Sequence, residues 1–287
     1  MKVRLQKILV YQQKEILENM LAGKRACRFE KLHEGGLLQY EDSLKKFFPE
    51  LPYAGVTVND LVHHTSGVPE FLGWDAEEID ISRINDNEDV LSSLKINNVK
   101  PLFAPGVTTA YSNTNYVLLA LIVEKVSGMT FANYLHKNIF ELIEMVHTQV
   151  YGQRYSKNKI DNYAYGYVYD SIKDEFVISD STEKYLYFFD GIAGVYGISS
   201  TAQDLLKWDQ ALYTEKLVSK KEITTAFEAY LLKSKKPARL FGLPYGFGWM
   251  INESKKKYFH TGGYPDYATF IVRHFDKNQT YYLNEQL

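Results

Sequence analysis

An α+β layered domain is predicted for this 287-residue chain, on three observations. An apolar run from Tyr116 to Val123, stopped by Gly128, reads as a helix that is apolar nearly all round and therefore buried at the centre of the molecule. Shorter stretches on either side of it place apolar residues at helical spacing. The end of the chain instead alternates with period two across short polar turns, the pattern of an antiparallel meander. Helices grouped in the middle and strands grouped at the end are the mark of segregated layers.

Residues 1–30 read as one or two basic helices broken at Gly23, with Leu5, Ile8 and Leu9, then Ile16, Met20 and Leu21, at helical spacing. The text GGLLQYEDSLKKFFPELP predicts a loop and a short helix closed by Pro49 and Pro52. Thr57-Val-Asn-Asp60 has the spacing of a capping box, followed by Val58, Leu61 and Val62 on one face, and this helix stops at Gly67-Val-Pro69. Phe71 to Lys100 is acidic and mixed, with a short helical excursion ending at Pro101. Pro105-Gly106 marks a turn, Ser112, Asn113 or Thr114 caps the central helix, and Gly128 suits its left-handed end. Thr130 caps the next helix, whose stripe is Phe131, Leu135, Ile139 and Leu142. Residues 151–190 alternate aromatic and polar, as strands and loops on a cleft wall would. Gly191 to Gly197 is a turn-rich hinge. Ser200-Thr201 opens a helix, Gln203 completes a capping box with Ser200, and the buried stripe is Leu205, Trp208 and Leu212. Gly246 to Ile251 pairs with Tyr258 to His260, and Tyr267 to Phe275 turns back into Gln279 to Leu283.

Composition bounds the function. Forty-five per cent hydrophobic and 24% charged residues describe an ordinary globular chain, and a net charge of −2 gives no electrostatic case for nucleic acid or an anionic membrane. The single cysteine, Cys27, excludes an internal disulfide and a thiolate cluster. No apolar run exceeds eight residues, too short for a membrane span, and Ile8-Leu9-Val10 is too short for a signal-peptide core, so the chain as written is expected in the cytoplasm. His63 and His64, if helical, point about 100° apart, and no His/Cys spacing suggests a metal; neither metal nor cofactor is expected.

Two short stretches carry chemistry. Tyr111 and Asn113 fall at the N-terminal mouth of the central helix, where a phenol and an amide handle protons and hold a polar ligand, or where they serve as an ordinary cap. His260-Thr261-Gly262-Gly263 follows a strand, and its two glycines either let a ligand approach backbone N–H groups, as an oxyanion site requires, or merely turn between strands.

The order HTSG at 64–67, Tyr111-x-Asn113, Gly191-x-x-Gly194 with Ser200-Thr-Ala-x-Asp204-Leu-x-x-Trp208, and HTGG at 260–263 resembles the penicillin-recognising serine hydrolases. The branch is that of class C β-lactamases, DD-peptidases and related esterases, and the resemblance runs from about Lys31 to the end. It implies a β-lactamase/transpeptidase-like fold: an antiparallel sheet flanked by helices, a mostly helical subdomain, and a cleft between them. Residues 31–287 would form this one domain, with 1–30 as a divergent segment. The resemblance further implies that Tyr111 shares proton transfer and that Asn113 holds the amide or carbonyl of a small-molecule or peptide substrate. It implies that His260 and Thr261, beside Gly262, bind the substrate's carboxylate or polar tail, and that the Gly263 N–H is half of an oxyanion hole.

The family attacks with a serine three residues before a lysine, and spacing places that serine near residues 17–22. No serine occurs before Ser43. The nearest look-alike is Leu21-Ala-Gly-Lys24, and literal Ser-x-x-Lys strings such as those at Ser43, Ser92, Ser181 and Ser254 lie elsewhere. The family's N-terminal strands and final helix are also missing from the text. The expectation is a serine hydrolase acting on a β-lactam, a D-Ala peptide or a small ester, truncated at both ends and inactive as written. A non-catalytic binding module and a non-functional remnant are the alternatives.

Overall fold

Local capping sets the first elements. Thr57 accepts the Asp60 N–H, and Asp60 accepts the Thr57 N–H in return, so the helix at Val58–Val62 starts on a complete capping box. Asp60 also accepts from the Thr65 hydroxyl at 2.9 Å, which ties the helix start to the loop leaving its other end. Thr57→Ala is expected to cost about 1 kcal/mol in a urea melt.

The computed structural model describes residues 38–150, 160, 163–178, 187–195, 197–217, 219–264 and 267–286. The sequence readings at 1–37, including Leu21 and Lys24, and at Ser181 and Lys184 lie outside them. In chain order the helices are α1 (Leu44–Phe47), α2 (Val58–Val62), α3 (Asn87–Ile96), α4 (Thr114–Ser127), α5 (Phe131–Leu135), α6 (Ala202–Ala211) and α7 (Lys220–Ala226). The strands are β1 (Gln149–Val150), β2 (Tyr167–Asp170), β3 (Glu175–Ile178), β4 (Ile198–Ser199), β5 (Arg239–Leu240), β6 (Leu243–Pro244), β7 (Met250–Asn252), β8 (Lys257–Tyr264), β9 (Tyr267–His274) and β10 (Gln279–Gln286).

Helix α4 is the central one. Every residue from Thr114 to Val123 is buried, α2, α3 and α5 pack on it, and Gly128 closes it in the left-handed region at φ 67°. Asn113 is the residue before its first turn, but its side chain caps nothing. Where the chain returns at 191–195 it lies against α4. A Cβ on Gly194, at φ 100°, would sit 2.6 Å from the Tyr116 carbonyl oxygen, so only glycine lets these two backbones touch. Between α4 and α5, Glu124 accepts the Phe131 N–H at 2.6 Å, and burial raises its carboxyl above the usual range.

Strands β7 to β10 form one antiparallel sheet in the order β10-β9-β8-β7, with Met250 opposite Phe259, His260 opposite Ile271 and Gln279 opposite His274. The turns between β7 and β8 and between β9 and β10 fall where the sequence places them. Three expectations differ in detail. Strand pairing begins only at Met250, because Gly246 donates to the Trp249 carbonyl and closes a tight turn there. Helix α6 is capped by Thr201 and not Ser200, whose hydroxyl is spent on Thr148 at 2.7 Å. Leu142 is 46% exposed while Ile143 is buried: His136–Phe140 is a π turn and Glu141–Ile143 a 3₁₀ turn, and together they shift the stripe by one residue. Of the aromatic stretch 151–190, strands β2 and β3 make a hairpin with Tyr169 and Phe176 on its exposed face. Among the described residues no single helix is long and apolar enough to cross a membrane.

Candidate active site

The site begins with the backbone of residues 64–67. Helix α2 ends at His63, and His64 follows in the left-handed region at φ 56°. The strip then runs beside residues 102–112. The carbonyl of His64 accepts the Ala110 N–H at 3.0 Å, that of Thr65 the Gly106 N–H at 2.9 Å, and that of Gly67 the Leu102 N–H at 2.8 Å. Gly67 has φ 76°, and a Cβ there would stand 2.2 Å from the Phe103 carbonyl oxygen. The glycine of HTSG is thus demanded by a backbone-to-backbone approach, independently of any ligand.

This strip carries Tyr111 to the mouth of α4. Tyr111 is half-buried, with its ring 4.3 Å from that of His64 and packed against Leu240, Tyr245 and Met250. Phe259, the residue before His260, packs on the same cluster. Asn113 is buried, and its backbone N–H and side-chain Nδ2 both donate to Glu70 Oε2, at 2.8 and 2.5 Å. A carboxylate only accepts, so Glu70 fixes the amide with Nδ2 towards itself. The other end, Asn113 Oδ1, is buried and has no hydrogen-bond partner among the described residues.

On β8, His260 is buried, donates from Nδ1 to the Thr261 carbonyl at 2.9 Å and holds Nε2 3.5 Å from the Tyr245 hydroxyl. Tyr245 in turn has its ring 5.6 Å from that of His64. One tyrosine therefore touches both the Tyr111 side and the His260 side. Beyond it, Thr261 and Gly263 are exposed and Gly262 is half-buried. A Cβ on Gly263 would meet nothing within 4 Å among the described residues.

Of the residues read from sequence, Tyr111, Asn113 and His260 to Gly263 are carried by two elements joined through His64 and Tyr245. Sequence reasoning missed Glu70 and Tyr245. Glu70 stands three residues after Gly67, and its contact with Asn113 spans 43 residues, so no local periodicity marks it. His63 and His64 diverge: the ring of His63 stacks on Tyr230 at 4.0 Å, and that of His64 faces Tyr111. Among the described residues no three His, Cys, Asp or Glu side chains are grouped to hold a metal ion. Of the Ser-x-x-Lys strings named above that can be placed, Ser43 caps α1 with Lys46 paired to Asp42, half-buried Ser92 lies on α3 with Lys95 paired to Glu50, and Ser254 bonds Asn252 in the turn before β8.

Fold and motif order together point to the β-lactamase family, and the chain belongs to it: the Beta-lactamase family model matches residues 27–278. Penicillin-binding protein 4* of Bacillus subtilis (strain 168) is 39% identical over 254 residues, which are 87% of this chain and 55% of that protein. Among solved structures, the octameric penicillin-binding protein homologue from Pyrococcus abyssi superposes with a TM-score of 0.75 at 27% identity, covering 97% of this chain and 62% of its own. The D-amino acid amidase from Ochrobactrum anthropi SV3 shares the fold at a TM-score of 0.74 and 20% identity, over 97% of this chain and 77% of its own. The chain thus spans little more than half the length of its curated relative.

Proposed function

We propose that the space bordered by Tyr111, Asn113 and the strand from His260 to Gly263 is an acyl-substrate cleft that this chain uses for binding without attack. The observation that carries the reading is the link through Tyr245, which joins the Tyr-x-Asn end to the His-Thr-Gly-Gly end. In this arrangement the orphan Oδ1 of Asn113 takes an N–H of the substrate amide, since Glu70 has claimed the Nδ2 donor. Exposed Thr261 takes the polar tail, with His260 braced behind it on Tyr245. The Gly263 N–H faces the acyl oxygen. Tyr111 stands where a proton would pass. Ligands of this shape are β-lactams, D-amino acid amides, D-Ala peptides and small esters, of which penicillin and D-amino acid amides stand in the relatives' names.

Acylation also needs a hydroxyl with a base beside it. Residues 17–22 supply none, and a leucine at position 21 has no nucleophilic atom. Losing such a nucleophile typically removes about 10⁶ in kcat, leaving what the donors and binding supply. The expected result is that intact-mass analysis after a fluorescent penicillin or a fluorophosphonate shows no covalent adduct. D-Phenylalanine amide or benzylpenicillin should still raise the melting temperature saturably, since a ligand at 100 times its Kd stabilises by about 2.7 kcal/mol. Asn113→Ala should abolish that shift. A stoichiometric adduct mapped to a serine would end the binding-only reading, and an absence of any saturable shift would end the cleft itself.

A further inference from the structure

His64 grips Tyr111 from three directions. Its backbone carbonyl accepts the N–H of Ala110, the residue before Tyr111, at 3.0 Å. Its ring Nδ1 accepts the N–H of Ser112, the residue after, at 3.1 Å. The ring face lies 4.3 Å from the phenol ring between them, tilted by 32°. His64 itself is fully buried, and it stands at φ 56°, a conformation that costs most side chains energy and that His, Asn and Asp adopt more readily. A strained, buried, polar residue that bonds both neighbours of one tyrosine is poor economy for a core and good geometry for a clamp.

The hydrogen bonds also fix its protonation. Asn115 Nδ2 lies 3.2 Å from the same Nδ1, and Asn115 is oriented by the Ser66 hydroxyl, which donates to its Oδ1 at 2.7 Å while accepting from Val68. Both groups facing Nδ1, the Ser112 amide and the Asn115 amide, only donate. Nδ1 must therefore keep its lone pair, and the proton of the neutral ring sits on Nε2. The other titratable groups packed round the ring are the phenols of Tyr111, Tyr116 and Tyr245.

We propose that His64 is the positioning residue of Tyr111: a neutral imidazole, locked as the Nε2–H tautomer by Ser112 and Asn115, that sets where the phenol stands at the mouth of the central helix. The inference rests on the reading of Tyr111 as a site residue for its purpose, but not for its geometry. HTSG and Tyr-x-Asn then form one device, the first motif holding the second.

The test is made on the full chain without substrate, so that it stands or falls apart from acyl transfer. With ¹⁵N-histidine, His64 should show an unprotonated Nδ1 and a protonated Nε2 throughout about pH 5 to 8. Two variants then separate ring from acceptor. His64→Asn keeps tolerance of the left-handed backbone and an acceptor for Ser112, but removes the ring. It should shift the Tyr111 ring signals and speed nitration of Tyr111 roughly fivefold or more, the equivalent of one lost aromatic contact. His64→Phe should keep the Tyr111 ring signals and lose the hydrogen-exchange protection of the Ser112 amide. Folded variants that leave Tyr111 and Ser112 unchanged would overturn the proposal, as would a wild-type His64 that takes a proton on Nδ1 at ordinary imidazole pH. Should either variant fail to fold, the wild-type tautomer measurement decides alone.

Discussion

Trp208→Ala is expected to lower the stability of the chain by about 3–5 kcal/mol, read as a shift in the denaturant midpoint at unchanged slope. Trp208 is 1% exposed on α6, in line with fully buried Leu205 and with Leu212. The helix lies against the sheet: the Tyr282 hydroxyl of β10 donates to the Leu205 carbonyl at 3.4 Å, and the Arg273 guanidinium of β9 lies 5.6 Å from the indole. Removing the indole opens a cavity between two rigid layers that cannot collapse into it, which puts the cost at the upper end for core truncations. It also exposes one face of a buried cation. A loss under ~1 kcal/mol, the scale of an ordinary surface change, would mean that α6 does not dock through this residue.

What could be read from the sequence divides by range. The Thr57 box, the Thr130 cap, the Trp208 stripe and the β7–β8 and β9–β10 turns depend on residues within a few positions of each other, and periodicity reports such spacing directly. The errors came where a distant group outbid a local one. Ser200 has the right neighbours for a cap but is taken by Thr148, 52 residues away. Leu142 has the right spacing for the core but follows a π turn that periodicity does not foresee. The site shows the same division. Tyr111, Asn113, the His260 strand and His64, as the first residue of HTSG, stand in motifs, whereas Glu70 and Tyr245 act through side-chain contacts that no motif or local periodicity marks. Motif order named the two stretches, and three-dimensional packing alone shows what joins them.

The second large effect is expected at the buried ion pair behind that packing. Asp209, at the side of α6, accepts from Nη2 of Arg273, which also donates to the Asp209 backbone carbonyl at 3.0 Å. Arg273 is fully buried, enclosed by the rings of Trp208, Tyr213 and Phe275 at 5.6, 5.0 and 5.0 Å, and its Nε and Nη1 have no hydrogen-bond partner among the described residues. The guanidinium is thus half-satisfied already and depends on one carboxylate. Asp209→Ala leaves that charge uncompensated and should cost about 3–5 kcal/mol. Asp209→Leu with Arg273→Met fills the same space with apolar atoms and should recover most of the loss, because both desolvation costs vanish together. The pair also bears on the cleft. Arg273 is paired across β9 and β8 with Tyr258, two residues before His260, so the ion pair pins the strand carrying HTGG to the helix behind it. Asp209→Ala should therefore raise amide exchange along residues 258–263 more than along residues 110–113, where Tyr111 is held by His64 and Asn113 by Glu70 instead. Equal loss of protection in both segments, or a double variant no more stable than Asp209→Ala, would show that the pair serves the whole fold and not the strand.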